Sequence, residues 1–315
     1  MPPPLPPLTP QEIASFVRDG YLIKRRVLDP ALCAQARDVL WAHNEAPHKL
    51  RRGDPSTYFG PWDYKDEQRD GDNVRKHYRW HLHKVGNDQL FVDLVGGATH
   101  KYAEQLLGVG ECTPPRGSGG IYCTLPRRKA GGDCRRPYLA HPLQAHVDAS
   151  LDAPQRLNAV GYIDDVPPGS GAFGVWGGSH RRVWNLLLDS HTAAQQPGRD
   201  DLRGVAAGSY CVALDAELER LVADTPPTDC WGFAGDVVLY HARLVHVPMF
   251  NYGTTIRQAV ISGFAKNDAA LPPDDSAARL AHVEHGDLWE DWAPQVRGIA
   301  AATLPATATV SGARL

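Results

Sequence analysis

The sequence predicts a fold that is mainly β with α decoration, in which an N-terminal helical layer packs on a C-terminal β-sandwich or barrel. Capped, amphipathic segments dominate up to about residue 110. From about residue 120 the segments become short, rich in β-formers and separated by Gly, Pro and Asp. The chain has 315 residues, 43% hydrophobic and 22% charged, which is close to soluble globular averages. That length is sufficient to bury a core without disulfides.

The first helix and strand are predicted from local signals. Thr9 is a good N-cap, Pro10 suits the first helical turn, and Glu12 completes a capping box. Gly20 ends this helix, and residues 21–23 have the composition of a strand.

Two further helices follow. The pair Asp29-Pro30 repeats the cap-then-proline signal, and the apolar residues after it fall on one helical face. Another helix is predicted from about Leu90 to Leu107, where Gly108 closes it.

The second part of the chain is predicted to be β-structure. Five segments have strand character: residues 120–124, 157–163, 171–176, 236–240 and 256–264. We therefore expect one domain over residues 9–299, with helices at about 9–110, the barrel at about 118–266 and a C-terminal helical segment at about 275–299. A flexible Pro-rich leader (1–8) and a loose tail (300–315) are expected to flank it.

Composition excludes several classes of protein. With 33 basic and 36 acidic residues the net charge is −3, which gives no basic field for nucleic acid. No apolar run is long enough to cross a bilayer, and the N-terminus lacks the pattern of a secretory signal. The six cysteines show no Cys-x-x-Cys spacing, as expected for reduced thiols. These features indicate a cytoplasmic enzyme with a small-molecule substrate and no nucleic-acid or membrane partner; they do not indicate an oligomeric state.

His146-Val147-Asp148 is the first candidate for chemistry. In a strand, residues i and i+2 point to the same side, so this imidazole and carboxylate could bind one metal ion. A His-x-Asp pair occurs by chance in a chain of this composition, and a second one is present at His285-Gly286-Asp287. The pattern alone is therefore also consistent with a solvated polar pair.

The downstream sequence separates the two pairs. An apolar strand after Gly235-Asp236 leads to His246, and Arg257 opens the next strand, whereas no histidine follows His285. Two imidazoles and a carboxylate on one octahedral face form the facial triad of non-haem Fe(II) oxygenases. An arginine on the next strand supplies a rigid donor pair for a distant carboxylate.

Two further residues near the candidate triad need an interpretation. His241 competes with His246 as the third ligand, but it directly follows an apolar strand and is interpreted as a packing histidine. Gln144 precedes His146 by two residues, so it would face the same cavity and contact the cosubstrate, or would lie in water as a polar strand residue.

These features together resemble the phytanoyl-CoA dioxygenase family of Fe(II)/2-oxoglutarate oxygenases. The resemblance spans about residues 10 to 265, and the order and spacing of its motifs are more specific than any single one. The matching motifs are Asp19-Gly20-Tyr21-Leu22-Ile23, Leu28-Asp29-Pro30, Glu104-Gln105-Leu106-Leu107-Gly108, His146-Val147-Asp148, Asp164-Asp165-Val166, Gly169-Ser170-Gly171-Ala172, Gly178-Ser179-His180-Arg181, Gly235-Asp236, His246 and Arg257.

The resemblance implies a fold, a ligand set and a reaction. The fold would be a double-stranded β-helix, a jelly-roll barrel related to cupins. His146, Asp148 and His246 would hold catalytic Fe(II), and Arg257 would bind the far carboxylate of 2-oxoglutarate. The reaction would hydroxylate an unactivated C–H bond with dioxygen, converting 2-oxoglutarate to succinate and carbon dioxide, with ascorbate as a stimulating reductant.

The chain departs from the family at three places. Pro248 stands where many relatives have Ser or Thr beside the far carboxylate, Gly177 replaces a proline, and the tryptophan that several relatives carry near Val160 is missing. Two alternatives therefore stay open: a cupin-like metal-dependent isomerase or lyase, and a non-catalytic sensor of 2-oxoglutarate or another metabolite.

Two segments could contact the substrate. Five cations between Arg127 and Arg136 would suit an anionic substrate or form a solvated loop. The aromatic segments 58–64 and 78–81 would form a lid over an organic substrate or cover the barrel.

Overall fold

The structure is a computed structural model, and its described parts include both the helical layer and the sheets. The described residues are 5–48, 50–59, 68–70, 73–76, 78–115, 120–128, 145–149, 153–194, 216–267 and 287–303. Within these ranges no helix is both long and apolar enough to cross a bilayer.

Helix α1 (Pro10–Asp19) begins and ends at the predicted residues. The Thr9 hydroxyl accepts the Glu12 amide at 3.2 Å, and the Glu12 carboxylate accepts the Thr9 amide at 2.8 Å, which confirms the capping box. Gly20 closes the helix at φ +79°, where a Cβ would lie 2.5 Å from His180 Nδ1. Leu8, which the sequence assigned to the leader, is buried, and its amide donates to the Gln105 side chain.

The described part of the chain contains further helices. They are α2 (Pro30–His48), α3 (His83–Gly86), α4 (Gln89–Phe91), α5 (Ala98–Leu107), α6 (Ser179–Ala194), α7 (Ala216–Asp224) and α8 (Pro294–Thr303). A π-helical turn (Val92–Gly97) joins α4 to α5, so the predicted third helix is present but irregular. This turn packs on the sheet so closely that a Cβ on Gly161 would lie 2.5 Å from Val95.

Within the described ranges the larger sheet has eight strands, all paired antiparallel, in the order β1-β9-β6-β11-β5-β4-β3-β2. These strands are β1 (Tyr21–Lys24), β2 (Gln68–Asp70), β3 (Asn73–Lys76), β4 (Arg79–Leu82), β5 (Gly120–Thr124), β6 (Gln155–Tyr162), β9 (Val237–His241) and β11 (Arg257–Ala265). The N-terminal strand β1 therefore pairs with β9, which lies more than half the chain away in sequence.

The smaller sheet has three strands among the described residues, in the order β10-β7-β8. They are β7 (Phe173–Val175), β8 (Thr228–Asp229) and β10 (His246–Pro248). An apolar cluster joins the two sheets, with Val160, Val238 and Ala259 from the larger one and Phe173 and Val175 from the smaller one. Two facing antiparallel sheets agree with the predicted sandwich, and closure into a jelly-roll barrel stays a prediction.

The predicted strands are all present, but the sequence analysis missed others. Each of the five predicted segments contains a strand, with ends within two residues of those expected. Strands β2, β3 and β4, however, lie in the stretch expected to be helical, and they extend the larger sheet beyond β5. In β4 the burial alternates, with Trp80 and Leu82 fully buried and Arg79 and His81 half-buried. Four residues are too few for this alternation to stand out in the sequence.

The C-terminal segment packs against the first helix. Phe16 of α1 lies with its ring centroid 6.1 Å from that of Trp289 and 5.6 Å from that of Trp292, just before α8. Helix α8 continues to Thr303, four residues into the stretch expected to be a loose tail.

The cysteines within the described ranges are free thiols, as expected. Cys33, Cys112, Cys123 and Cys230 are buried, and Cys134 and Cys211 lie outside those ranges. Burial raises the pKa of the Cys33 and Cys112 thiols to about 11 and that of Cys230 to about 12, which keeps these three protonated at neutral pH.

Candidate metal centre

His146 and Asp148 lie beside the start of strand β10. His146 and His246 exchange two backbone hydrogen bonds of 3.0 Å, one in each direction, and the Asp148 amide donates to the Ala242 carbonyl at 2.9 Å. This short antiparallel bridge brings the two histidines directly opposite each other, although a hundred residues separate them in sequence.

The three side chains converge on one point. Asp148 Oδ1 lies 3.6 Å from His146 Nε2 and 3.5 Å from His246 Nε2. One ligand atom from each residue can be chosen so that all three lie within 4.8 Å of one another. Ligand atoms bound to one ion at about 2.1 Å lie roughly 3 Å apart, so the trio needs little movement to bind a divalent metal.

The His246 ring is held in the tautomer that metal binding requires. Its Nδ1 lies 2.8 Å from the Leu244 carbonyl oxygen, which can only accept, so Nδ1 carries the proton. The lone pair of Nε2 is then left for a metal, and the backbone contact fixes the direction of the ring.

The two oxygens of the Asp148 carboxylate have different partners. Its Oδ2 accepts hydrogen bonds from the Tyr240 hydroxyl at 2.7 Å and from Asn158 Nδ2 at 2.8 Å, while Oδ1 faces the imidazoles. Burial by itself would raise the pKa of Asp148, but the attraction of the two imidazoles and the Tyr240 hydrogen bond hold it well below its usual range. The Asp148 carboxylate is therefore ionised at any physiological pH and could serve as an oxygen ligand.

We expect Tyr240→Phe to weaken divalent-metal binding about 10- to 100-fold, because the carboxylate loses the bond that orients it. Isothermal titration with Ni(II) under anaerobic conditions measures the effect. Tyr162→Phe is the matched control: the Tyr162 hydroxyl donates to Cys230 O and accepts from the Phe173 amide, away from Asp148. That variant should lose unfolding free energy and keep its Ni(II) affinity; equal affinities in both variants would contradict the role of Tyr240.

The structure brings His246, and not His241, to His146 and Asp148. His241 ends β9 on the opposite face from Tyr240, stacked on Trp292 with ring centroids 5.1 Å apart. Its Nδ1 accepts the Arg243 amide. Burial, and then repulsion from neighbouring positive or ionisable groups, lowers the pKa of His241 well below its usual value, as expected for a packing histidine.

Two other sequence predictions fall outside the described ranges. They are Gln144 and residues 129–136 of the cationic segment. Of the second His-x-Asp pair only Asp287 is described, and it is exposed.

Arg257 opens strand β11 as a buried cation. Its Nε donates to the Gly171 carbonyl at 2.8 Å and its Nη1 to the Tyr122 carbonyl at 3.2 Å. Among the described residues neither a carboxylate nor any acceptor for Nη2 contacts it. Burial lowers the pKa of Arg257, because its charge has lost water without gaining an acidic partner. A buried guanidinium in this state favours binding of an anion.

Arg257 and the three converging side chains line the same cavity. The other lining residues are Arg79, Tyr122, Val160, Phe173, Tyr240, Pro248 and Ile261. Tyr240 and Asn158 were missed by the sequence analysis, although a polar residue within an otherwise apolar strand is a usable signal. Arg79 was assigned to an aromatic lid or cover, and the structure gives it instead to β4, with its guanidinium 5.0 Å from the Tyr122 ring centroid.

Comparisons with known proteins give structural likeness only. No family model matches the chain, and a search among curated proteins finds no match either. The resemblance to the phytanoyl-CoA dioxygenase family therefore stays a prediction.

Several solved structures of enzymes resemble the fold at low identity. SnoK, a non-haem α-ketoglutarate-dependent carbocyclase from nogalamycin biosynthesis, aligns at 16% identity and a TM-score of 0.47, over 83% of this chain and 87% of its own. HygX from Streptomyces hygroscopicus, solved with nickel and 2-oxoglutarate, aligns at 14% identity and a TM-score of 0.45, over 82% of this chain and 88% of its own. EvdMO1 aligns at 18% identity and a TM-score of 0.45 over 81% of this chain. The alignment covers 49% of EvdMO1, so this chain spans about half of its length. At these values the likeness by itself assigns no activity to this chain.

Proposed function

We propose that this chain is a non-haem Fe(II)- and 2-oxoglutarate-dependent dioxygenase of the phytanoyl-CoA dioxygenase family, which hydroxylates an unactivated C–H bond of a small organic molecule. One observation carries the proposal. Two imidazoles and one carboxylate converge on a cavity that also contains a buried arginine with no acidic partner among the described residues. A metal that keeps open positions beside an anion site is the arrangement that chelation by a dicarboxylic 2-oxo acid requires.

The donor set fits both groups. His146, Asp148 and His246 offer two nitrogens and one oxygen to Fe(II), and Arg257 offers a charged donor to the distal carboxylate of 2-oxoglutarate. The chemistry supplied by bound iron and 2-oxoglutarate is the activation of dioxygen, with conversion of 2-oxoglutarate to succinate and carbon dioxide.

The chain's own residues orient the metal ligand Asp148 and restrict water in the cavity. Tyr240 and Asn158 keep one Asp148 oxygen aimed at the metal position, so the ligand set does not reorganise on binding. Val160, Phe173 and Ile261 give the cavity apolar walls, which restrict water near the reacting atoms. We place this chemistry in one oxygenase domain, residues 9–299.

The two rival functions make different use of Arg257. A cupin-like isomerase or lyase would use the metal as a Lewis acid and has no need of a buried anion anchor. A sensor would need both the metal site and the anchor but would release no product. The unpaired charge of Arg257 therefore argues against the first rival, and measurement of turnover separates the second.

The direct test is an anaerobic titration of metal-free protein with Fe(II) and then 2-oxoglutarate, followed by visible absorption. We expect the charge-transfer band of a 2-oxo acid chelated to iron, saturating at one 2-oxoglutarate per iron. Zn(II)-loaded protein is the control, since it can bind 2-oxoglutarate but lacks the redox chemistry that gives the band. Bound iron without a band would contradict the proposal and favour the isomerase or lyase.

Hydroxylation itself needs a second measurement. Metabolites that release succinate from the loaded enzyme would be reacted with isotope-labelled dioxygen, and we expect the label in the product. An unlabelled product that carries a new double bond or ring would support the proposed cofactors and contradict hydroxylation. Tight binding of 2-oxoglutarate without succinate from any compound would favour the sensor.

A further inference from the structure

Thr124 lies between two cations that line the cavity. On β5 it is the direct cross-strand partner of Arg257 on one side and of Arg79 on the other. Residues directly opposite each other in antiparallel strands project from the same face of a sheet, with Cβ atoms about 5 Å apart. The three side chains therefore form one row, Arg79-Thr124-Arg257, on the face of the sheet that borders the cavity.

The hydroxyl of Thr124 is buried and has no partner among the described residues. The residue is 2% exposed, and its Oγ1 makes no hydrogen bond within that part of the chain. The rest of the residue is well fixed: its carbonyl accepts Asn251 Nδ2 at 2.8 Å, and its methyl group packs where a Cβ on Gly171 would lie, 3.2 Å away. A buried hydroxyl without a partner is unfavourable, so a ligand that reached it and accepted its proton would be stabilised.

Other donors near Arg257 are engaged or missing. The Tyr162 hydroxyl donates to Cys230 O, and the Tyr240 hydroxyl donates to Asp148. Pro248, which lines the same cavity, has no side-chain donor. Arg79 and Tyr122 also line the cavity and carry donors, but their side chains hydrogen-bond to each other. A carboxylate that binds Arg257 Nη2 has further lone pairs to satisfy. Thr124 is the direct cross-strand partner of Arg257, and its hydroxyl bonds to no described residue.

We propose that the Thr124 hydroxyl donates a hydrogen bond to the distal carboxylate of 2-oxoglutarate, completing the anion site that Arg257 begins. This inference rests on the proposed function. It makes Thr124 a binding residue for the cosubstrate, and it explains in one step the orphaned hydroxyl and the incompletely paired guanidinium.

The test compares two ligands on two variants. Thr124→Val removes the hydroxyl and keeps the shape, and Ni(II)-loaded protein is titrated calorimetrically with 2-oxoglutarate and with 2-oxopentanoate, which has a methyl group in place of the distal carboxylate. We expect about 10- to 100-fold weaker binding of 2-oxoglutarate, as for a hydrogen bond to a charged group, and unchanged binding of 2-oxopentanoate. Thr124→Ser should retain most of the affinity.

Thr99→Val is the matched control. Thr99 is equally buried, but its hydroxyl donates to the Val95 carbonyl at 2.7 Å in the helical layer. It should lower the Tm of the metal-free protein and leave 2-oxoglutarate binding unchanged. Thr124→Val should do the opposite, with an unchanged or higher Tm, because no bond is lost in the free protein.

The outcomes distinguish failure of the Thr124 inference from failure of the proposed function. Unchanged 2-oxoglutarate affinity in Thr124→Val, or equal losses for both ligands, would overturn the role of Thr124 and leave the oxygenase proposal intact. A lower Tm with no change in affinity would show that the hydroxyl is structural. Failure of the wild-type protein to bind 2-oxoglutarate would overturn both.

Discussion

Asp148→Ala should lose stoichiometric Fe(II) binding, with an affinity more than about 100-fold below that of the wild type, since even residues that only orient metal ligands are worth 10- to 100-fold. Asp148 Oδ1 lies 3.6 Å from His146 Nε2 and 3.5 Å from His246 Nε2. It also contributes the only negative charge among the three groups. Without it, only two imidazoles remain, and the hydrogen bonds from Tyr240 and Asn158 lose their acceptor.

Iron per chain after anaerobic loading measures this loss, and the rise in Tm on adding metal gives an independent readout. The chain provides a control matched in motif, because Asp287 ends the other His-x-Asp sequence and is exposed. Asp287→Ala should load iron as the wild type does. One iron per chain in Asp148→Ala, with the same rise in Tm, would show that the three converging side chains are not the metal site.

The separate components of this site could be predicted because each depends on local sequence. The i, i+2 spacing of His146 and Asp148 and the position of Arg257 at the start of an apolar strand are readable without knowledge of the fold. The structure brings His246, and not His241, to Asp148, since strand alternation sends Tyr240 toward Asp148 and His241 to the opposite face. The geometry brings the predicted residues together, while their roles as ligands stay a proposal.

The contacts of the supporting residues could not be predicted, even where the residues carry a signal as polar positions in apolar strands, because these contacts depend on strand register. Asn158 and Tyr240 are direct partners in the pairing of β6 with β9, and only that register places both on Asp148 Oδ2. The row Arg79-Thr124-Arg257 likewise requires β4 to join the sheet next to β5, which no local pattern indicates. Pairing between distant strands is decided by the whole fold, so contacts of this kind follow from the structure alone.

Arg257→Ala should bind Fe(II) normally and lose 2-oxoglutarate. Truncating one partner of a buried charge pair costs about 2–5 kcal/mol, which corresponds to roughly 30- to 4,000-fold in Kd. The loss should be specific, because 2-oxopentanoate presents no distal carboxylate to the guanidinium. The 2-oxoglutarate affinity of Arg257→Lys should lie between those of the wild type and Arg257→Ala, since a lysine restores the charge without the planar pair of donors.

A second arginine provides a control that distinguishes loss of 2-oxoglutarate binding from a general effect on the fold. Arg156 is also buried, 6% exposed, but it pairs with Asp291 at 2.6 Å near the C-terminal segment, away from the cavity. Arg156→Ala should be less stable and should bind 2-oxoglutarate as the wild type does. If Arg257→Ala instead kept its affinity and Arg79→Ala lost it, the distal carboxylate would lie at the other end of the row. The site would then bind the cosubstrate in the opposite direction, with Arg257 left to receive the substrate.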